Sequence, residues 1–330
     1  MKQFIIDENE AGQRFDKYLG KLLKEAPKSF FYKMMRKKNI TLNGKKAAGN
    51  EMLKKGDEVK LFLSDETFEK FEGTQKAASA VCDLDVVYED RDVIFLNKPA
   101  GMLSQPADGE EPSMVEYLTG YLLQKKAIDE EQLKTFRPSV CNRLDRNTSG
   151  LIAGGKSLAG LQMLSELFHD RTLHKYYLCL VKGVIREESH IKGYLHKDKK
   201  TNKVTVYKEK REDSLPIETA YRPLGNNGAL TLLEVRLITG RTHQIRAHLS
   251  SIGHPLLGDG KYGNEALNKK YRDRYRLCHQ LLHAYKVVLP KLEGKFEGLS
   301  DRTFTAPVPE LFHKIIREEH LEESYYENLA

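Results

Sequence analysis

The chain has 330 residues, 40% of them hydrophobic and 31% charged, an ordinary globular composition with room for more than one domain. No run approaches the roughly 18 consecutive apolar residues that a membrane helix needs. The start, Met1-Lys2-Gln3-Phe4-Ile5-Ile6-Asp7, turns acidic before a signal-peptide core can form, so the sequence predicts a cytoplasmic protein without a membrane partner.

The formal net charge of +7 is unevenly placed. Residues 1–64 hold 15 Lys and Arg against 8 Asp and Glu, which is the whole excess; the rest of the chain holds 39 of each. A small basic module on a neutral body suits a polyanion-binding appendage, although a Lys-rich solvent face has the same composition. In chain order, residues 12–26 predict a helix with Phe15, Tyr18, Leu19 and Leu22 on one face. Residues 30–38 predict a second helix ending in Arg36-Lys37-Lys38. Ile40-Thr41-Leu42 reads as a strand, Asn43-Gly44 as a tight turn followed by Lys45, and Lys54-Lys55-Gly56-Asp57 as a turn into a strand over 58–63. Residues 65–82 are rich in Glu, Lys, Thr, Gln and Ala without a period, and predict a linker.

A second unit begins at residue 83. Short buried strands are predicted at 86–88 and 93–96, then a Pro/Gly loop, Asn97-Lys98-Pro99-Ala100-Gly101-Met102, and a helix over 113–125. Next comes Cys141-Asn142-Arg143-Leu144-Asp145-Arg146-Asn147-Thr148-Ser149-Gly150-Leu151, in which two Arg bracket one carboxylate and Thr-Ser-Gly supplies turn chemistry. A carboxylate in a cationic loop stays ionised and can serve as nucleophile or base; the plainer reading is a surface Asp–Arg pair. Further on, 151–154 reads as strand, Ser157 caps a helix to about residue 169, and 175–183 reads as strand. Residues 196–211 predict an exposed basic hairpin and 229–238 an alternating strand. Thr239-Gly240-Arg241-Thr242-His243-Gln244-Ile245-Arg246 follows as a dense donor array, either a charged turn or a clamp for carboxylate and phosphate. The tail from about 311 to 330 is acidic and reads as a loose helix. Many strands in no βαβ rhythm predict an α+β fold with a mixed, mainly antiparallel sheet.

Other constellations weigh less. His243, His248, His254 and His283 lack the spacing of paired metal ligands. Cys82, Cys141, Cys179 and Cys278 form no Cys-x-x-Cys pair, so no metal is expected. Gly258-Asp259-Gly260-Lys261 lacks the Ser or Thr of a phosphate loop, and Thr148-Ser149-Gly150 is not a hydrolase elbow.

Two resemblances organise these motifs. Residues 12–64, with Arg14-Phe15-Asp16-Lys17-Tyr18-Leu19, the basic helix end and the two turns, resemble the RNA-binding domain named after ribosomal protein S-four. Residues 83–310 resemble the RluA/RluD-type pseudouridine synthases. The resemblance rests on Asn142-Arg143-Leu144-Asp145-Arg146-Asn147-Thr148-Ser149-Gly150-Leu151, on Lys175-Tyr176-Tyr177-Leu178-Cys179-Leu180-Val181-Lys182-Gly183, and on Leu237-Ile238-Thr239-Gly240-Arg241-Thr242-His243-Gln244-Ile245-Arg246-Ala247-His248. One departure is Asn142, where the family usually has His. The second resemblance implies an isomerase that turns specific uridines of structured RNA, above all large-subunit ribosomal RNA, into pseudouridine. It implies Asp145 as the catalytic carboxylate, acting by attack on the sugar or by abstracting a ribose proton. Tyr177 would stack on the flipped base and help remove the surplus proton, and Arg246 would pair with Asp145. It implies no cofactor, a monomer, and RNA gripped by Arg143, Arg146, Arg241, Arg36, Lys37, Lys38 and Lys45.

Overall fold

A computed structural model of the chain describes residues 1–72, 79–81, 83–107, 111–198 and 200–321. Parts of the expected linker (73–78 and 82), of the basic hairpin (199) and of the tail (322–330) lie outside the described residues.

The N-terminal unit runs β1 (Lys2–Ile5), α1 (Phe15–Leu22), α2 (Lys28–Arg36), β2 (Ile40–Leu42), β3 (Lys45–Lys46), β4 (Glu58–Leu61) and α3 (Asp65–Glu72). Its sheet has the order β1-β4-β2-β3, so it begins at residue 2 rather than 12, with Lys2 opposite Leu61. The expected apolar face of α1 is buried, and Phe31 and Met35 of α2 complete the core. Asn43 and Gly44 both take positive φ, the conformation a two-residue hairpin turn requires. The linker expectation fails at its start. Only two of the eight residues of α3 are apolar, yet Phe68 is buried against Phe4 and Phe71 packs on Phe30 with ring centroids 4.7 Å apart. Two aromatics one helical turn apart on a charged segment suffice to cover the small core.

The second unit contains β5 (Val86–Glu89), β6 (Val93–Lys98), α4 (Met114–Gln124), β7 (Ser139–Val140), β8 (Ser149–Gly155), α5 (Leu158–Asp170), β9 (His174–Lys182), β10 (Ser189–Lys197), β11 (Val204–Tyr207), β12 (Leu215–Asn226), β13 (Leu230–Leu237), α6 (Gln244–Ser251), α7 (Glu265–Tyr275), β14 (Leu282–Val288), β15 (Thr303–Thr305) and α8 (Glu310–Glu318). The strands form one 11-stranded sheet in the order β11-β10-β12-β13-β9-β14-β8-β6-β5, with β15 on β14 and β7 on β8. The β14–β8 pair is parallel and the other pairings are antiparallel, so the fold is α+β on a mixed, mainly antiparallel sheet. Both faces of the central strands are covered, so β13, expected to alternate, is instead buried along its first six residues. Ile94, Leu96, Tyr177, Cys179 and Val235 join one core with α4 and α6. Val93 and Phe95 face a second core with α5, and Leu178 and Leu180 a third with α7 and α8.

One helix was not anticipated from the sequence, and one further reading needs correction. The helix α7 carries no sequence signal beyond a thin stripe of Leu267, Tyr271 and Tyr275 among charged residues, and that stripe is what it buries. The segment from 311 is not a loose acidic tail at its start: Phe312, Ile315, Ile316 and Leu321 are buried, so the unit continues past residue 310. The two units touch through polar side chains, Glu8 with Arg91 at 2.5 Å, Glu72 with Lys134 at 2.8 Å and Glu10 with Thr135 at 2.5 Å.

Candidate active site

The three central strands of the large sheet bring the sequence motifs together. β14 lies between β8 and β9, with His283 opposite Ser149 and Ala284 opposite Tyr177. The loop that ends in β8 therefore delivers Asp145 to the region of the Tyr177 strand. Gly150 makes this possible. It has φ +114°, and a Cβ there would stand 2.2 Å from the Ala284 carbonyl oxygen, so no other residue allows β8 and β14 this approach.

The Asp145 loop is held along its length. The Asn142 amide accepts from the Ala153 N–H at 2.8 Å and donates to the Leu151 carbonyl at 3.1 Å, so Asn at this position ties the loop to β8 with both ends of its side chain. The Leu144 backbone exchanges two hydrogen bonds with the Ser104 hydroxyl. Gln280 donates to Thr148 Oγ1 at 3.2 Å, and Ser149 pairs with His283 at 2.9 Å. Beneath the loop lies Lys98, fully buried, its ammonium donating to the carbonyls of Pro99, Met102 and Arg146. Burial pushes its pKa down to about 7, against the pull of nearby Asp145. Three acceptors match the three donors of the charged amine, so Lys98 joins the Asn97–Met102 turn to the Asp145 loop.

Arg246 sits in the first turn of α6 and points inward, its side chain 9% exposed. Its Nη1 donates to Asp145 Oδ2 at 2.8 Å, while Nε and Nη2 grip both oxygens of Asp259 at 2.7 and 2.9 Å. Burial alone would raise the Asp259 pKa. The two Arg246 bonds and the backbone N–H groups of Lys261 and Tyr262 more than offset it and hold the carboxyl below its usual range. Burial alone would lower the Arg246 pKa, and the two carboxylates drive it up instead. Asp259 thus orients the guanidinium in the plane that meets Asp145, which is 25% exposed and whose Oδ1 has no partner among the described residues.

The base of α6 is fixed by Gln244. Its oxygen accepts from Thr239 Oγ1 and the Arg241 N–H, and its amide donates to the Glu218 carbonyl and Thr219 Oγ1 on β12. His243 before it takes φ +52°, a costly conformation for a non-glycine residue that this network sustains. Its Nε2 lies 3.9 Å from Asp145 Oδ2. Tyr177 is buried, and burial first, then Asp145, raises its pKa, so the phenol keeps its proton at neutral pH.

The structure thus brings together Asp145, Arg246 and Tyr177. Arg143 is exposed beside Asp145. Arg146 is turned to other work, donating to the Gly101 carbonyl and pairing with Glu111 at 2.8 Å. Arg241 is half-buried, with an Nε that has no partner among the described residues. Arg36, Lys37, Lys38 and Lys45 are exposed on the N-terminal unit. The four histidines part company: His243 faces Asp145, His248 pairs with Thr219, His254 with the Lys182 carbonyl and His283 with Ser149. Sequence reasoning missed Asp259, Lys98, Ser104 and Gln280 as parts of the site. The buried Asp in Gly258-Asp259-Gly260 and the Lys before Pro99 were the available signals.

Comparison with known proteins finds relatives along nearly the whole chain. The family model described as RNA pseudouridylate synthase matches residues 92–251. An uncharacterized RNA pseudouridine synthase of Mycoplasma genitalium is 31% identical over 306 residues, 91% of this chain and 93% of its own. The ribosomal large subunit pseudouridine synthase C of Vibrio cholerae is 31% identical over 302 residues, 89% and 91% of the two chains. That of Escherichia coli is 29% identical over 291 residues, 86% and 87%. Among solved structures, human RNA pseudouridylate synthase domain containing 4 shares the fold, with TM-score 0.58 at 21% identity over 72% of this chain and 93% of that one. Identity of this extent along nearly the whole length of both partners places the chain in the RNA pseudouridine synthase family of isomerases.

Proposed function

We propose that the chain isomerises specific uridines of large-subunit ribosomal RNA, with Asp145 as the catalytic carboxylate. The observation that carries this reading is the Arg246–Asp145 hydrogen bond at 2.8 Å, made by a guanidinium that Asp259 already locks in place. A carboxylate so held is fixed in orientation, and its second oxygen has no partner among the described residues. The target uridine leaves its stack, which costs a few kcal/mol and favours loops. Asp145 detaches the uracil by attack on the sugar or by taking a ribose proton; the base turns and rejoins through carbon 5. The N1–C1′ bond breaks, the C5–C1′ bond forms, and the proton that leaves C5 is balanced by one gained at N1, so no redox partner is needed. Tyr177 stacks on the flipped base. Its raised pKa favours that part over proton removal, which would need the phenolate.

Arg143 and Arg241 grip phosphates beside the site. The N-terminal unit, with Arg36, Lys37, Lys38 and Lys45, supplies affinity for structured RNA. In this reading the protein works as a monomer in the cytoplasm. None of the helices among the described residues is long and apolar enough to cross a membrane.

Asp145→Asn tests the reading, because an amide is neither a useful base nor a nucleophile at neutral pH. The variant is expected to fold, to bind RNA, and to form no pseudouridine even with enzyme in excess. Measurable product from it would place the chemistry elsewhere.

A further inference from the structure

One side chain stands beside the Asp145 carboxylate without a hydrogen bond to it. His243 is nearly enclosed, and its two ring nitrogens face two different elements. Nε2 points to Asp145 Oδ2 at 3.9 Å. Nδ1 lies 2.9 Å from the Tyr262 hydroxyl, with the rings edge to face at 5.7 Å between centroids. The Tyr262 oxygen also accepts the backbone N–H of Val204 at 2.9 Å. Val204 opens β11, the second strand of the basic hairpin, and is itself buried with Leu195, Ile217 and Ala247, against which Tyr262 packs.

The hydrogens follow from this geometry. With its oxygen accepting from Val204, Tyr262 uses both of its hydrogen-bonding roles when its hydroxyl donates to Nδ1, the arrangement taken here. A neutral imidazole whose Nδ1 accepts carries its proton on Nε2, aimed at Asp145. The separation is long for a hydrogen bond in the free enzyme, and catalytic contacts commonly close when substrate binds.

We propose that His243 is a positioning residue for the isomerisation: its Nε2–H is the second donor beside the Asp145 carboxylate, and Tyr262, tied to the root of the basic hairpin, sets which nitrogen carries that proton. The proposal rests on Asp145 being the catalytic carboxylate. The groups facing the ring are Asp145 from the central loop, Arg246 from α6, and Asp259, Lys261 and Tyr262 from the turn before α7. Burial lowers the His243 pKa first; Arg246 and Lys261 act in the same direction, and Asp145 and Asp259 oppose them. Burial thus favours the neutral ring, whose tautomer then matters.

The test is the single-turnover rate of pseudouridine formation on structured RNA by the full chain, with RNA affinity and unfolding temperature measured alongside. His243→Ala is expected to slow the rate roughly 10–100-fold, the scale of one hydrogen bond to a charged group, with RNA affinity nearly unchanged. His243→Gln places an amide N–H where Nε2–H stands, and is expected to recover most of that loss. Tyr262→Phe leaves Nδ1 without its donor, so the ring divides between tautomers. That variant is expected to be slow near about pH 8 and to recover toward wild type only as pH falls clearly below the ordinary imidazole pKa of about 6.5, because burial delays protonation and the imidazolium carries a proton on Nε2 in either case. Wild type is expected to show no such rise. A His243→Ala rate within twofold of wild type, a Gln variant no better than Ala, or a Tyr262→Phe deficit that does not depend on pH would each overturn the proposal. If His243→Ala does not fold, the Gln and Phe variants decide it. An inactive Asp145→Asn beside unaffected His243 variants would sink this inference alone, whereas an active Asp145→Asn would sink the reading beneath it.

Discussion

Arg246 shows how two carboxylates can share one cation without being equivalent. Asp259 takes two of the guanidinium's bonds in a fully enclosed place, and Asp145 takes one at the edge of solvent. Arg246→Met leaves Asp259 as an unpaired buried charge and Asp145 without its partner. Breaking a buried pair from one side costs about 3–5 kcal/mol, so denaturant unfolding should show a loss of that size together with lost turnover. Adding Asp259→Asn removes the stranded charge and should restore part of the stability while activity stays absent. An unchanged unfolding midpoint in Arg246→Met would mean that the guanidinium is not what balances Asp259. The motif made Arg246 legible as the partner of Asp145. Asp259 was not legible, because a Gly-Asp-Gly turn looks the same whether its carboxylate meets water or a guanidinium.

At the scale of elements, the helices that the sequence concealed share a cause. The helices α3, α7 and α8 are rich in charge and bury only a few large side chains each: Phe68, then Tyr271 and Tyr275, then Phe312, Ile315 and Ile316. Composition averages over the exposed faces and hides so narrow a stripe, whereas the strands of the central sheet are apolar on both faces and declare themselves. For α8 the buried stripe has a measurable consequence. Each of its three large apolar side chains contributes about 1.5–3 kcal/mol by burial. Truncation after residue 309 should therefore remove several kcal/mol, a large share of the roughly 5–15 kcal/mol typical of a folded domain. Thermal unfolding would show a drop of many degrees or outright failure to fold. A truncated chain that melts with wild type would mean that α8 covers nothing of consequence.

For the whole molecule, the N-terminal unit has its own sheet and core, and it meets the larger unit through partly exposed polar pairs such as Glu8–Arg91 and Glu72–Lys134, with Glu10 on buried Thr135. Deleting residues 1–72, a boundary that α3 sets in place of residue 64, should leave a folded catalytic unit that turns over a short stem-loop slowly. Its affinity for long structured RNA should fall, and the dependence of that affinity on salt should flatten, because fewer counterions are released. An unchanged salt slope would show that the basic module does not touch the RNA; an inactive but folded remainder would show that the unit is part of the catalytic machinery.

The sequence by itself determined the order of elements along most of the chain, the α+β class and, through three motifs in series, the family. These are carried by local periodicity, turn residues and contiguous strings, which need no knowledge of distance. The tertiary structure alone decided which charges meet. Asp145 and Arg246 stand 101 residues apart, Ser104 and Leu144 40 apart, and Thr148 and Gln280 132 apart. A buried charge or hydroxyl must find its partner wherever the fold places one, and no local pattern records that choice. The same reason separates Arg146 from Arg143. Both flank the same carboxylate in sequence, and only the fold turns one back to Gly101 and Glu111 and leaves the other facing solvent.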